Sequence, residues 1–187
     1  QVTAYQNAYT ATVKPISYSS VDYNSILQNT TDSSIKEKID TWYEENLLSK
    51  TDENGHAWSE YLSDEVFCND RSLYSGSGYL LSPTSYFYPY RRVASLKTPS
   101  LSCSQESDRF TVDSSKGNGE LDYPIGLITI DEASMAGGVY NVVNTRYYLY
   151  TGQSYWTLSP CGFTSRSALA LVWYVSSTGT FNPWASV

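Results

Sequence analysis

The order in which helix and strand patterns follow each other is the feature that most limits the fold of this chain. The strongest helix pattern is Ser34–Leu48, near the start, and the strongest strand pattern is Ala168–Val175, near the end. Between them, residues 70–120 are rich in Gly, Ser, Pro, Asp and Asn, which predicts long irregular structure. Because helices and strands do not alternate, the sequence predicts an α+β fold with short antiparallel strands rather than a parallel α/β fold.

The N-terminal helix is predicted from a capping signal and an apolar face. Ser34 and Glu37 have the Ser-x-x-Glu spacing of a capping box, which places the N-cap at Ser34. The apolar side chains expected on one face of the helix are Ile35, Ile39, Trp42, Tyr43 and Leu47. The charged side chains expected to face mainly away from it are Lys36, Lys38, Asp40, Glu44 and Glu45.

A second, short helix and several strands are predicted in the C-terminal half. Thr129 and Glu132 match another capping box, and Gly137-Gly138 is expected to end a helix over Glu132–Ala136. A turn at Ser176–Gly179 is expected after the strand Ala168–Val175. The other predicted strands are Ile125–Ile128, Tyr147–Tyr150, Trp156–Leu158 and Phe181–Val187, the last broken by Pro183. Weaker signals predict a short strand or turn at Glu65–Asn69 and extended segments within residues 1–18.

Length and charge narrow the class of protein. The 187 residues suffice for a single domain, 1–187, with a hydrophobic core. No run approaches the roughly 18 apolar residues that indicate a membrane span. The net charge of −7 argues against nucleic acid as a partner, because phosphate binding requires clustered Lys and Arg. The one basic pair of note, Arg91-Arg92, is expected to be two solvated arginines after an aromatic strand.

Three cysteines, Cys68, Cys103 and Cys161, allow three different single disulfides. A Cys68–Cys103 disulfide is preferred because it would close an interval that is mostly loop. In the chain-entropy model such a bridge contributes about 4 kcal/mol. Three reduced thiols in a cytosolic protein are the competing interpretation. No Cys or His spacing in the chain indicates a zinc site.

Residue types suited to catalysis are present, but each has a simpler explanation. His56 is the only histidine, and its polar surroundings favour an exposed loop residue over a member of a catalytic triad. The adjacent acids Asp131 and Glu132 fit the first turn of a helix. Cys161 has only Arg166 nearby as a cation, which favours a structural cysteine over a reactive thiol. The chain is therefore predicted to have no catalytic residues, no metal site and no cofactor.

Aromatic residues are concentrated at residues 147–163, in a chain with 18 tyrosines and five phenylalanines. Such an excess of tyrosine is typical of extracellular domains and binding loops. Alternation along short strands places some of these side chains in the core, namely Tyr148, Tyr150, Trp156 and Leu158. It places the others at the surface, namely Tyr147, Leu149, Tyr155 and Thr157. A shift of one residue in register would exchange the two faces, so Trp156 stays a candidate. The predicted ligand-binding residues are Tyr147, Tyr155, Trp156 and Arg166.

An ordered series of motifs over residues 30–187 carries a resemblance to a known family. The motifs are IKEKIDTWYEENL, FCNDRS, PSLSC, GNGELDYPIGLITIDEASMAGG, YYLYTGQSYWTLSP and GTFNPWASV. In these motifs the chain resembles bacterial surface-protein domains of unknown function that are common in Firmicutes. It is also distantly similar to the C-type-lectin-like fold shared with formylglycine-generating enzymes.

This resemblance implies an extracellular or cell-surface domain and supports the Cys68–Cys103 disulfide. It brings no established catalytic residues, and neither the copper-binding cysteine pair of the enzymes nor the Glu-Pro-Asn calcium motif of the lectins is matched. Family members continue past the position of Val187 into a further strand. The absence of that final strand is expected to mean an unpaired edge, a truncated form of the domain, or a partner that supplies the strand.

Three functions follow, in decreasing order of support. The first is a non-catalytic, secreted or cell-surface domain for binding or adhesion, with a glycan or a protein as its ligand. The second is a structural subunit of a surface filament or pilus-like assembly, which would self-assemble through edge strands. The third is an enzyme of the formylglycine-generating type, for which one histidine and no site spacing offer little support.

Overall fold

The structure, a computed structural model, describes residues 29, 32–76, 84–164 and 169–185. Its architecture is α+β, as predicted, with short helices and antiparallel strands. The helices are α1 (Ser34–Tyr43), α2 (Tyr88–Tyr90) and α3 (Ile130–Met135), with π-helical turns at Glu44–Leu48 and Arg91–Leu96 and 3₁₀ turns at Trp58–Tyr61 and Glu106–Asp108. The strands are β1 (Phe67–Cys68), β2 (Leu73–Ser75), β3 (Ser85–Phe87), β4 (Arg109–Phe110), β5 (Val139–Tyr140), β6 (Tyr155–Thr164), β7 (Leu169–Val175) and β8 (Thr180–Ala185). The extended segments predicted within residues 1–18 lie outside the described residues.

Helix α1 begins one residue earlier than its capping signal predicted. The hydroxyl of Ser33, not of Ser34, caps the helix by accepting the backbone N–H of Lys36 over 3.2 Å. Ser33 is buried and has the extended backbone of an N-cap, whereas Ser34 is already helical and exposed. The predicted capping box of Ser34 with Glu37 is therefore wrong, since two adjacent serines offered the same hydroxyl at two positions.

The buried face of α1 contains a lysine. Lys36 is 1% exposed, although it was predicted to face away from the core, while Trp42, predicted to be buried, is 51% exposed. The Lys36 ammonium donates to Asp32 over 3.1 Å, to Asp40 over 2.9 Å and to Asp122. Burial lowers the pKa of Lys36, but these hydrogen bonds outweigh that effect and hold the pKa above its ordinary value of 10.5. The aliphatic stem of lysine packs like an apolar side chain when its charge is compensated.

Two sheets organise the described chain. The larger sheet has the strand order β2-β3-β6-β7-β8-β5, in which β5 pairs parallel to β8 and the other pairs are antiparallel. The smaller sheet pairs β1 with β4. The core cluster on the larger sheet is centred on its long hairpins and includes Cys161, Trp173, Val175 and Phe181. The described residues include no helix with the length and apolar character that a membrane crossing requires.

Three of the strand predictions are confirmed and two are wrong. The predicted strands Trp156–Leu158 and Ala168–Val175 correspond to β6 and β7, and the short strand expected at Glu65–Asn69 corresponds to β1. Ile125–Ile128 and Tyr147–Tyr150 are not strands. These two segments form a loop and a turn instead. An apolar run alone does not form a strand unless another strand lies beside it to pair with it.

The end of the sheet also departs from its prediction. Strand β8 begins at Thr180 and continues through Pro183, which lies opposite Trp173 of β7. Strand β5 pairs with β8 only at Thr180 and Phe181, so no described strand lies beside Pro183 on that side of β8. A proline is tolerated there, because its missing N–H leaves no described partner unpaired. The predicted turn before β8 is confirmed. Its Gly179 has φ +74°, and a Cβ there would lie 1.9 Å from the carbonyl oxygen of Asn144, so the turn requires glycine.

A buried ion-pair cluster holds the irregular middle of the chain against α3. Arg92 donates to both carboxylate oxygens of Asp131 over 2.8 Å each, and to Asp70 over 2.7 Å. The backbone N–H of Ser100 also donates to Asp131 over 2.9 Å. The side chains of Arg92, Asp70 and Asp131 are 15%, 5% and 4% exposed. The expectation that Arg92 is solvated is therefore wrong, because its guanidinium joins two distant parts of the chain.

A second ion pair and the disulfide lie in the same region. Arg71 donates from Nε and from its backbone N–H to the carboxylate of Asp108, over 2.7 and 2.8 Å. The disulfide joins Cys68 and Cys103, the pair that the sequence analysis preferred, with 5.8 Å between the Cα atoms. These links attach the end of β1 and the loop after it to the loop and the 3₁₀ turn that precede β4. Few backbone hydrogen bonds of regular structure are available there.

Candidate functional site

The surface feature best suited to a ligand lies where β6 begins and β7 ends. Trp156 of β6 is paired with Tyr174 of β7, and their ring centroids are 5.7 Å apart at an interplanar angle of 52°. Trp156 is 42% exposed and Tyr174 is half-buried. Together with Ser154 and Tyr155, these residues line a cavity of about 260 Å³. This cavity and its four lining residues are called the aromatic groove below.

Tyr155 of the aromatic groove is supported from the core side of the sheet. It packs against the cluster that includes Trp173 and Phe181, and its hydroxyl lies 2.8 Å from the hydroxyl of Tyr147. Tyr147 is 6% exposed and meets Phe181 edge-on, with 6.1 Å between ring centroids. Burial, and then the hydrogen bond to Tyr155, raise the pKa of Tyr147 above its ordinary value of 10.0. Tyr147 therefore holds Tyr155 in place and does not itself line the groove.

The faces predicted for this aromatic segment are partly exchanged. Tyr147, expected at the surface, is buried, whereas Tyr148, expected in the core, is 90% exposed. Trp156 is exposed instead of buried, and Thr157 is buried instead of exposed. Strict alternation fails because the segment around Tyr147 forms a turn and because the register of β6 shifts between Trp156 and Pro160.

The structure brings two of the four predicted ligand-binding residues together. Tyr155 and Trp156 line the aromatic groove, Tyr147 lies behind it, and Arg166 lies outside the described residues. Tyr174 was missed by the sequence analysis. Its strand is apolar on both faces, and the sequence does not state which of its residues lies opposite Trp156.

Neutral polar groups surround the aromatic groove. The hydroxyl of Ser154 accepts the backbone N–H of Ser177 over 3.0 Å, which brings the turn after β7 close to the groove. The hydroxyls of Ser176 and Thr178 in that turn lie 2.8 Å apart. A second cavity, of about 460 Å³, shares Tyr155 with the groove and is also lined by Ile128, Leu149, Thr151 and Gln153.

The adjacent acids Asp131 and Glu132 have roles in the fold, as the helix explanation predicted. Glu132 accepts the backbone N–H and the hydroxyl of Thr129 over 2.7 and 2.8 Å, which completes the predicted capping box of α3. Asp131 is engaged by Arg92 and by the N–H of Ser100. The two acids line a cavity of about 90 Å³ in which their carboxylates are already hydrogen-bonded.

The remaining candidates for chemistry are dispersed. His56 lies 3.2 Å from the carboxylate of Glu60, and both side chains are 59% exposed, as expected for a loop histidine. Across the part of the chain that the structure describes, no group of three or more His, Cys, Asp or Glu side chains is arranged to hold a metal ion.

Cys161 is expected to be unreactive in the folded protein. It is 0% exposed and forms no disulfide, and burial raises the pKa of its thiol well above the ordinary value of 9.0. The folded state therefore keeps the proton at pH values where an exposed thiol ionises, and the reactive thiolate is withheld. Titration with a disulfide reagent at about pH 9 should detect no rapidly reacting thiol in the native protein and one thiol per chain in denaturant. Rapid native reaction, with Cys161→Ser as the control, would contradict this burial.

Comparisons with known proteins identified no relative of this chain. No protein-family model, no curated protein and no solved structure matches the chain.

Proposed function

We propose that this chain is a non-catalytic domain for binding or adhesion, secreted or attached to a cell surface, and that the aromatic groove contacts its ligand, a glycan or a protein. The observation that carries the proposal is the pair formed by the exposed Trp156 and the half-buried Tyr174 beside a cavity. Partly exposed aromatic rings provide a large contact area at a low cost in side-chain entropy, which is why they dominate binding sites. Both rings project from paired strands, so the groove is already formed before a ligand arrives.

An extracellular location is supported by the chemistry of the cysteines. A disulfide between Cys68 and Cys103 persists in an oxidising compartment and is rare in the cytosol. The resemblance to bacterial surface-protein domains points in the same direction. The third cysteine, Cys161, is buried, so it does not form bridges to other chains in the folded state.

The test of this function is capture of a ligand by wild-type protein and by variants of the groove. We expect Trp156→Ala to weaken binding by about tenfold or more, since truncation of a central aromatic residue typically costs at least 1–2 kcal/mol. Trp42→Ala is the matched control, because Trp42 is a similarly exposed tryptophan on α1. Circular dichroism should show that both variants stay folded. Equal loss of binding in both variants, or no loss in Trp156→Ala, would place the ligand elsewhere.

A second candidate function is a structural subunit of a surface filament. Among the strands that the structure describes, β5 is an edge of the larger sheet and is paired with β8 on one side. Val142 and Val143, just after it, are 49% and 67% exposed. An edge with exposed apolar neighbours is a surface on which another strand can add. Fibres that appear with rising concentration in electron micrographs, and that are absent for Val143→Asp, would favour this function over ligand binding.

A further inference from the structure

We infer that the ligand of the aromatic groove is a neutral saccharide. This inference rests on the proposed function and names the chemical class of its ligand. It begins with the charges around the groove. The chain contains 12 Lys and Arg and 19 Asp and Glu, yet residues 147–164 and 169–185, which form β6, β7, β8 and their described connections, contain none of these four residue types.

Absence of charge in this surface selects against charged ligands. None of the residues that line the aromatic groove, or the second cavity beside Tyr155, has a formal charge at neutral pH. A carboxylate, phosphate or ammonium group entering the groove would lose hydration without gaining an ion pair. The net charge of −7 adds a long-range repulsion against acidic ligands. The complementary ligand is therefore uncharged.

Ring geometry selects for a ligand with apolar faces. Because the planes of Trp156 and Tyr174 are inclined by 52°, the two rings form walls of a groove rather than one flat patch. The negative face of an aromatic ring attracts partly positive C–H groups, and the faces of a sugar ring present such groups. The cavity of about 260 Å³ is slightly smaller than a typical site for a drug-sized molecule, as expected for one or two sugar units.

Hydroxyl groups at the border of the groove complete the match. Ser154 accepts one hydrogen bond from Ser177 and retains its own O–H as a donor. The exposed turn beside it carries the hydroxyls of Ser177 and Thr178. Groups that both donate and accept hydrogen bonds are suited to the hydroxyls of a saccharide, which do the same. A protein ligand would be expected to meet polar and charged residues at the rim. The residues named here as lining or bordering the groove are all uncharged.

Calorimetric titration with hexasaccharides of matched length tests the inference. The neutral probes are maltohexaose, cellohexaose, mannohexaose and xylohexaose, and the charged probes are hexagalacturonate and the chitosan hexamer. We expect at least one neutral probe to bind. Trp156→Ala should weaken that binding by about tenfold or more, Trp156→Phe should weaken it less, and Trp42→Ala should leave it unchanged. Any binding of the chitosan hexamer to the acidic chain should be lost in about 0.5 M NaCl. Its affinity should be the same for wild type and Trp156→Ala.

The outcomes separate this inference from the proposed function. If no neutral probe binds, or if hexagalacturonate binds as tightly as the best neutral probe, the saccharide inference is overturned. If a captured protein then proves to depend on Trp156, the proposed function survives without it. If a neutral probe binds equally well to wild type, Trp156→Ala and Tyr174→Ala, the groove is not the site and both proposals fail.

Discussion

Arg92→Met is expected to lower the free energy of unfolding by about 3–5 kcal/mol, because it leaves two buried carboxylates without their cation. Asp70 and Asp131 are 5% and 4% exposed, and Arg92 makes three hydrogen bonds to them. Methionine fills much of the same space but donates nothing. For a chain of this length, the expected fall in Tm is roughly 6–20 °C.

The neighbouring arginine provides a matched control for this prediction. Arg91 lies over the ring of Tyr74, 4.6 Å from the ring centroid, and such a contact near the surface contributes about 0.5–1 kcal/mol. Arg91→Met should therefore reduce stability by no more than about 1 kcal/mol in urea unfolding. Arg92→Lys should fall between wild type and Arg92→Met, since one ammonium cannot reproduce the two parallel bonds to Asp131. Equal losses for Arg91→Met and Arg92→Met would contradict the role given to the cluster.

Features determined within a few residues could be predicted from the sequence. The capping box of Thr129 and Glu132 involves residues in the first turn of α3, and the turn before β8 depends on Gly179. Strand β7 could also be predicted from its own residues, because an apolar run of this length is expected to be buried. The α+β class followed from the order of these local signals, without knowledge of any contact between them.

Features that depend on distant partners could not be predicted in this way. Hydrophobic periodicity treats every charged residue as exposed, yet Lys36 and Arg92 are buried. Lys36 bonds to Asp32 and Asp40 nearby in the sequence and to Asp122, 86 residues away, and Arg92 bonds to Asp131, 39 residues away. Nothing near Lys36 or Arg92 in the sequence identifies Asp122 or Asp131 as a partner. The burial of a charged residue can therefore be recognised only in the folded structure, where its compensating groups lie beside it.

Only part of the aromatic groove could be predicted, again because its composition depends on residues that are distant in the sequence. The concentration of rings identified Tyr155 and Trp156, but the side of the sheet that each ring occupies depends on register. The shift in register after Trp156 exchanged the expected faces, and the pairing across the hairpin added Tyr174. Composition located the segment, and strand pairing determined which of its rings a ligand can reach.

Asp108→Ala should be as destabilising as the loss of Arg92, with an expected cost of about 3–5 kcal/mol. Asp108 is 0% exposed, and it accepts from both Nε and the backbone N–H of Arg71, whose side chain is 2% exposed. Burial raises the pKa of the Asp108 carboxyl, and Arg71 opposes that rise. Without the carboxylate, the Arg71 guanidinium keeps its bonds to Asn29 and Ser107 but loses the buried anion to which its Nε and backbone N–H donate.

Removing both charges should be less harmful than removing one, and this comparison is the sharper test of the ion pair. The double variant Arg71→Met/Asp108→Leu is expected to recover part of the stability lost in Asp108→Ala, because it removes the guanidinium together with the buried carboxylate that balances it. Glu106→Ala, in the same 3₁₀ turn but exposed, should stay within about 0.5 kcal/mol of wild type. Urea unfolding of the four proteins gives these differences. A double variant less stable than Asp108→Ala would show that packing and hydrogen bonding of Arg71, rather than the balance of charge, dominate at this position.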